Sequence, residues 1–194
     1  MSAVYSERLE LALTTALEAH GLRRRITGVG FEVSHVTAVA LIAFDFGFNE
    51  DTVVSAFLHD TLEDTDLAPD VIESRFGKHV LLMVQDVTEP PKPAPWRERK
   101  TVYINQLRTT PRHGSLAIAS ADKIHNLSKM TKGLQDQGDT FMRPFTALID
   151  DMVWYQRAVH ETLRSTWQHK ILDEHERCLD SFLHVARKVS STQK

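Results

Sequence analysis

Apolar residues recur every three to four positions along most of the chain, the spacing of amphipathic helices rather than strands. Between residues 6 and 20, Leu9, Leu13, Ala16 and Leu17 share one face, and Gly21 follows as a stop. Residues 22–34 break the pattern: Arg23, Arg24 and Arg25 precede Gly28 and Gly30, which reads as a loop. The spacing then predicts a helix from His35 to about Phe46, punctuated by Gly47 and Asn49. Another runs from about Glu50 to Glu63, where Val53, Val54, Ala56, Phe57 and Leu58 form an apolar wall. Pro69 suits the first turn of a short helix with Val71, Ile72 and Phe76 inward and Gly77 at its end. Val80 to Val84 has strand propensity, but Gly77 and the helical neighbourhood place residues 78–87 in a helix. From Glu89 to Pro95 repeated prolines fix φ and remove amide donors, so this stretch reads as an exposed loop. Helices follow over 96–107 and 115–130, then a polar gap over 131–140, then long helical patterns over about 144–167 and 171–189. The last five residues read as a frayed tail.

The expected fold class is therefore all-α. A length of 194 residues suits a single domain over 1–194, with a core over about 6–130 and a helical extension over about 140–190. Only 8 Gly and 7 Pro favour long helices over a sheet with many turns. A formal net charge of -3 argues against nucleic acid or an anionic membrane as partner, so an anionic ligand must be met by local cations or a metal. The single cysteine, Cys178, permits no intrachain disulfide and points to a reducing compartment. The first 20 residues lack the basic and apolar regions of a signal peptide, and no run approaches a membrane helix. The expected compartment is the cytoplasm.

Candidate chemistry gathers around His59-Asp60. Adjacent helical positions project about 100° apart, so both side chains reach one ion beside the helix. An imidazole with a carboxylate suits Mn²⁺, Fe²⁺, Zn²⁺ or Mg²⁺. Two ligands make a poor site, and His35 and Asp122 are the candidates for the remainder. Asp122 lies in the apolar context Ile118-Ala119-Ser120-Ala121-Asp122-Lys123-Ile124, where an unpaired carboxylate is costly. Glu63 and Asp64 stand three and four residues after Asp60, on the side of the proposed ligands, where carboxylates orient or deprotonate an attacking water.

The ordered set His35, His59-Asp60, Asp122 resembles the HD superfamily of metal-dependent phosphohydrolases. The stretch from Ala56 to Thr65 (AFLHDTLEDT) is similar to the central signature of the RelA/SpoT-type hydrolase domain and the small alarmone hydrolases. Two further stretches resemble that family's later blocks: Arg75 to Val80 continuing to Thr88, and Ala121 to Leu127 (ADKIHNL). The run Arg97-Glu98-Arg99-Lys100 sits at its basic stretch, and the likeness covers about residues 20–130. The approach to His35 carries neither the Tyr nor the Pro that flank the family's first His, and Phe31 stands further away.

The resemblance implies an HD-domain helical bundle with a C-terminal helical extension. It implies one divalent metal, typically Mn²⁺, on His35, His59, Asp60 and Asp122, with Glu63 and Asp64 acting on the water. Asn126 would contact ribose or phosphate, and Arg24 and Arg25 would flank the base or phosphates. The reaction implied is removal of the 3′-pyrophosphate from a guanosine polyphosphate, a small-molecule nucleotide. A phosphatase acting on another nucleotide or on a phosphorylated dinucleotide such as NADPH, and a non-catalytic nucleotide-binding protein, are the alternatives. On residue chemistry, Arg97 and Lys100 share one side of a helix that suits a pyrophosphate, and Lys123 either reaches phosphate or pairs with a carboxylate. His125 reads as a residue that orients or packs.

Overall fold

The computed structural model describes residues 6–91 and 94–191. Lys92 and Pro93 of the proline-rich loop, and residues 192–194 of the tail, lie outside the described residues. The helices are α1 (Glu7–His20), α2 (Glu32–Asp45), α3 (Glu50–Leu58), α4 (Thr61–Asp64) and α5 (Pro69–Phe76). They continue as α6 (Lys78–Asp86), α7 (Trp96–Thr109), α8 (His113–Gln137), α9 (Ile149–Thr166) and α10 (Ile171–Ser191). A 3-10 turn, Gly138–Met142, links α8 to the chain leading into α9. Among the described residues there is no strand, and an isolated antiparallel bridge pairs Arg24 with Phe31. No described helix is long and apolar enough to cross a membrane.

Local chemistry starts and stops these helices where the pattern expects. Ser6 caps α1 by accepting from the Leu9 amide, and Gly21 at φ 54 ends it. Asn49 caps α3 by accepting from the Thr52 amide, with Glu50 and Asp51 in the first turn. Pro69 opens α5, and Gly77 at φ 92 turns the chain directly into α6. Arg8 holds α1 to the start of α3 through Asp51 (2.5 Å) and to the end of α5 through the Phe76 carbonyl (2.8 Å).

The long helix α8 is the centre of the bundle. Every residue from Ser115 to Ile124 is buried, because α2, α3, α6 and α10 pack around it. Asp86, at the end of α6, fixes where α8 begins. Arg112 donates to it twice, from Nε (2.6 Å) and Nη2 (2.7 Å), and the Thr110 and Ser115 hydroxyls add donors at 2.5 and 2.6 Å. The helix α10 packs along α8 and α9 and buries Ile171, Leu172, Leu179 and Phe182.

Several boundaries differ from the sequence expectation. The helix expected over 50–63 breaks at His59-Asp60 into α3 and α4. There the His59 imidazole donates to the Ala56 carbonyl and the Thr61 hydroxyl to the Leu58 carbonyl, two side-chain donors competing with the helical ladder. Helix α2 starts at Glu32 rather than His35, since Phe31 is held by the bridge to Arg24. The polar gap expected after residue 130 is helical to Gln137, because Leu134 is buried and Gly133 admits the Phe141 ring. Pro144 to Leu148 lie outside α9, which opens at Ile149.

A Cβ added at Gly133 would overlap three ring atoms of buried Phe141. Gly133→Ala should therefore destabilise the protein by about 1–3 kcal/mol despite the helix propensity of alanine. Urea unfolding checks this; an unchanged or raised midpoint would show that Phe141 moves freely.

Candidate functional site

Three elements converge beside the break between α3 and α4. His35 comes from the first turn of α2, His59 and Asp60 from the break, and Asp122 from the buried part of α8. His35 Nε2 lies 3.3 Å from Asp60 Oδ2 and 3.2 Å from Asp122 Oδ1. His59 Nε2 lies 3.2 Å from Asp60 Oδ1 and 4.0 Å from Asp122 Oδ1. His35, His59 and Asp60 each present a ligand atom within 4.8 Å of the other two, and Asp122 closes the ring from α8.

The His59 tautomer is decided locally. Nδ1 donates to the Ala56 carbonyl at 2.8 Å, so Nε2 is left as a bare acceptor. That nitrogen is buried without a hydrogen-bond partner and faces a carboxylate oxygen, an acceptor against an acceptor. A cation between them satisfies both, and two imidazoles with two carboxylates fit a divalent first-row metal or Mg²⁺. His125 sets the other histidine: its Nδ1 lies 2.8 Å from His35 Nδ1. Burial, then the charge of His35, pushes His125 down to about 4, so it stands there neutral. Burial alone would raise the carboxyls of Asp60 and Asp122. His35, close to both carboxylates, outweighs it at Asp60, and Lys123 with His35 does so at Asp122, holding both well below the ordinary carboxylate range.

Beside this ring is a polar cavity of about 40 Å³ bounded by His59, Asp60, Glu63, Glu89, Asp122 and Lys123. Burial first, then the charges of Glu89 and Asp60, pushes Glu63 up to about 7. Asp64 does not line this cavity. It turns to Arg23, which donates to its carbonyl and lies 3.5 Å from its carboxylate.

The expected substrate contacts separate into those near the ring and those away from it. Lys123 Nζ donates to Asp122 Oδ2 at 2.6 Å, and Asn126 Nδ2 donates to Asp122 Oδ1 at 2.5 Å. Arg25 bridges Glu32 (2.6 Å) and the Asn126 oxygen (3.0 Å). Arg24 is exposed, its guanidinium 4.6 Å from the Phe31 ring centroid. Lys100 donates to Glu89 and rests on the Tyr155 ring, 4.7 Å from its centroid. Arg97 points elsewhere, to Asp151 (3.0 Å) and over Trp154.

Sequence reasoning missed Glu89 and passed over Arg99. The loop at 89–95 was expected to be exposed, yet Glu89 is buried and accepts from Arg99 Nη1 at 2.9 Å. The available signal was charge: Glu89 opens a proline run that ends four residues before Arg99-Lys100.

A family model described as HD domain matches residues 12–144 of this chain. A guanosine-3′,5′-bis(diphosphate) 3′-pyrophosphohydrolase of Aquifex aeolicus is 39% identical over 85 residues, 44% of this chain and 12% of the relative. MESH1 of Homo sapiens, which carries the same enzyme name, is 31% identical over 135 residues, 68% of this chain and 74% of the relative. The chain thus spans only a small part of the Aquifex protein and about three quarters of the human one. Among solved structures, one described as a metazoan ortholog of SpoT that hydrolyses ppGpp matches with a TM-score of 0.76 and 26% identity, covering 94% of this chain and 97% of that one.

Glu63 lends itself to a direct test in metal-free protein. Its folded pKa of about 7 lies above the ordinary glutamate value of 4.5 that holds in the unfolded chain, so the native state holds the proton more tightly. Stability should then fall as pH rises from 4.5 to about 7 and stay reduced above that. Glu63→Gln should be more stable than the parent at pH 8 by about 1–3 kcal/mol, with the gap closing near pH 4. Thermal unfolding at the two pH values measures it; equal gaps would place the Glu63 carboxyl in an ordinary environment.

Proposed function

The chain belongs to the HD-domain family, and from that footing we propose that it releases pyrophosphate from the 3′ position of guanosine 3′,5′-bis(diphosphate), with one divalent cation on His35, His59, Asp60 and Asp122. The observation that carries this reading is the bare, buried Nε2 of His59, aimed at Asp60 inside a ring with His35 and Asp122. The substrate class follows the human and Aquifex relatives, both named for this reaction. Manganese is the ion proposed, on the mixed imidazole and carboxylate donors. The single cysteine, buried Cys178, accords with the cytoplasm as the compartment proposed.

A divalent cation at this ring supplies Lewis-acid polarisation of a phosphoryl oxygen and a lowered pKa for water beside it. The chain's own residues supply the rest. Glu63, at the cavity wall with a carboxyl poised near neutrality, accepts the proton of the attacking water. Asp64 acts one step removed, fastening Arg23 and the basic loop to α4. Lys123, whose ammonium sits between Asp122 and the rings of Tyr103 and Tyr155, offsets charge on the phosphoryl group. Asn126 and Arg25 connect Asp122 to the basic loop, so the ribose and 3′-phosphate side of the substrate meets a braced surface. Arg24 on Phe31 offers a flat, charged face to a base or phosphate.

Purified protein with added Mn²⁺ should release pyrophosphate from guanosine tetraphosphate. Asp122→Ala, and chelation of the wild type, should each reduce release to background. Turnover that survives chelation would sink the metal-dependent mechanism. No turnover by protein that holds one metal per chain would redirect the substrate to other phosphorylated nucleotides.

A further inference from the structure

Four carboxylates border the cavity: Asp60, Glu63, Glu89 and Asp122. The hydrolysis proposed above employs three of them and leaves Glu89 without a role. Its side chain is 6% exposed, so its charge needs partners. Arg99 supplies one from Nη1 at 2.9 Å, and the Lys100 ammonium donates to the other oxygen. The backbone amide of Glu89 donates in turn to Glu63 Oε2 at 3.3 Å, and Arg99 Nη1 lies 3.8 Å from Glu63 Oε1. A buried chain Glu63–Arg99–Glu89–Lys100 therefore runs from the cavity wall to the aromatic shelf of Trp96 and Tyr155.

An ammonium has three donors, and among the described residues Glu89 is the acceptor that Lys100 reaches. Lys100 and Lys123 also face the same Tyr155 ring, at 4.7 and 5.0 Å from its centroid, so two like charges converge there. Glu89 is the carboxylate on the Lys100 side of that pair and Asp122 the one on the Lys123 side. Two ammonium groups, each anchored by its own buried carboxylate, thus share one aromatic ring, and Lys123 lines the cavity.

Resting on the pyrophosphohydrolase reading, we propose that Glu89 is a positioning residue: braced by buried Arg99, it holds Lys100 beside Lys123 so that the two ammonium groups receive the departing pyrophosphate. The opposite role would make Glu89 a stand-in anion that substrate displaces. Its burial speaks against that role, since leaving would strand Arg99, whose side chain is 9% exposed, as a buried unpaired cation.

Calorimetric binding of inorganic pyrophosphate and, separately, of guanosine 5′-diphosphate to the manganese-loaded protein distinguishes the two roles. Glu89→Gln should weaken pyrophosphate binding about tenfold, the scale of one charge-assisted hydrogen bond, and change guanosine diphosphate binding less than about twofold. Glu89→Asp keeps the charge, retracts it by one methylene and should weaken pyrophosphate about threefold; it serves as the readout if the glutamine variant does not fold. Unchanged or tighter pyrophosphate binding in the variants overturns the proposal. So does equal weakening of both ligands, or no pyrophosphate binding by the wild type. A wild type that binds pyrophosphate with this Glu89 dependence but does not hydrolyse guanosine tetraphosphate would instead count against the parent reading alone.

Discussion

The contact between His59 Nε2 and Asp60 Oδ1, two acceptors 3.2 Å apart inside the protein, imposes a demand that the surrounding structure is organised to meet. Left alone it is unfavourable, because neither atom has a proton to share once His59 Nδ1 has donated to Ala56. The break between α3 and α4 creates the contact by letting both side chains turn inward. His35 and Asp122 then complete a ring whose donor set a divalent cation satisfies. Three of the four ring members have their own support: Ala56 for His59, His125 for His35, and Lys123 with Asn126 for Asp122.

That support explains why α8 is buried without interruption from Ser115 to Ile124. Asp122 can be held in apolar surroundings only if α8 is placed firmly, and the Asp86–Arg112 pair with Thr110 and Ser115 sets its starting point. From the other side, α10 packs its apolar face along α8. The helices beyond residue 144 thus share the burial of the segment that carries Asp122. Cations near the ring are similarly committed: Arg25 to Glu32 and Asn126, Lys123 to Asp122, Arg99 and Lys100 to Glu89. Such pairing preorganises positive charge in a chain whose net charge is -3.

Much of this was legible in the residues. The periodicity of Val53, Val54 and Phe57 places a helix because burial of one face is a local, repeating constraint; α1 also forms as its spacing expects, but it buries Ala12, Thr15, Ala16 and His20 while Leu13 and Leu17 stay exposed. Ser6, Asn49, Pro69 and Gly77 mark ends because capping and φ preferences act within one turn. The AFLHDTLEDT stretch and the ADKIHNL stretch point to one ring because their residue types share one chemistry. What escaped was whatever depends on the far side of a contact. Glu63 and Asp64 are neighbours with the same chemistry, yet one lines the cavity and the other turns to Arg23. Arg97 and Lys100 share a helix face in projection, yet Arg97 goes to Asp151 and Trp154 while Lys100 goes to Glu89.

The sequence by itself determined the helical class, the helix ends marked by a capping residue, proline or glycine, and the kinds of atoms able to ligate a metal, because spacing, capping and donor chemistry are properties of short segments. Tertiary structure alone decided that the helix breaks at His59-Asp60, that His125 backs His35 across 90 residues, and that Glu89 is buried between Arg99 and Lys100 rather than exposed on a loop. Those outcomes turn on which distant charge or carbonyl lies opposite a side chain, and the free energy of a buried polar group is set by that partner rather than by its neighbours in the chain.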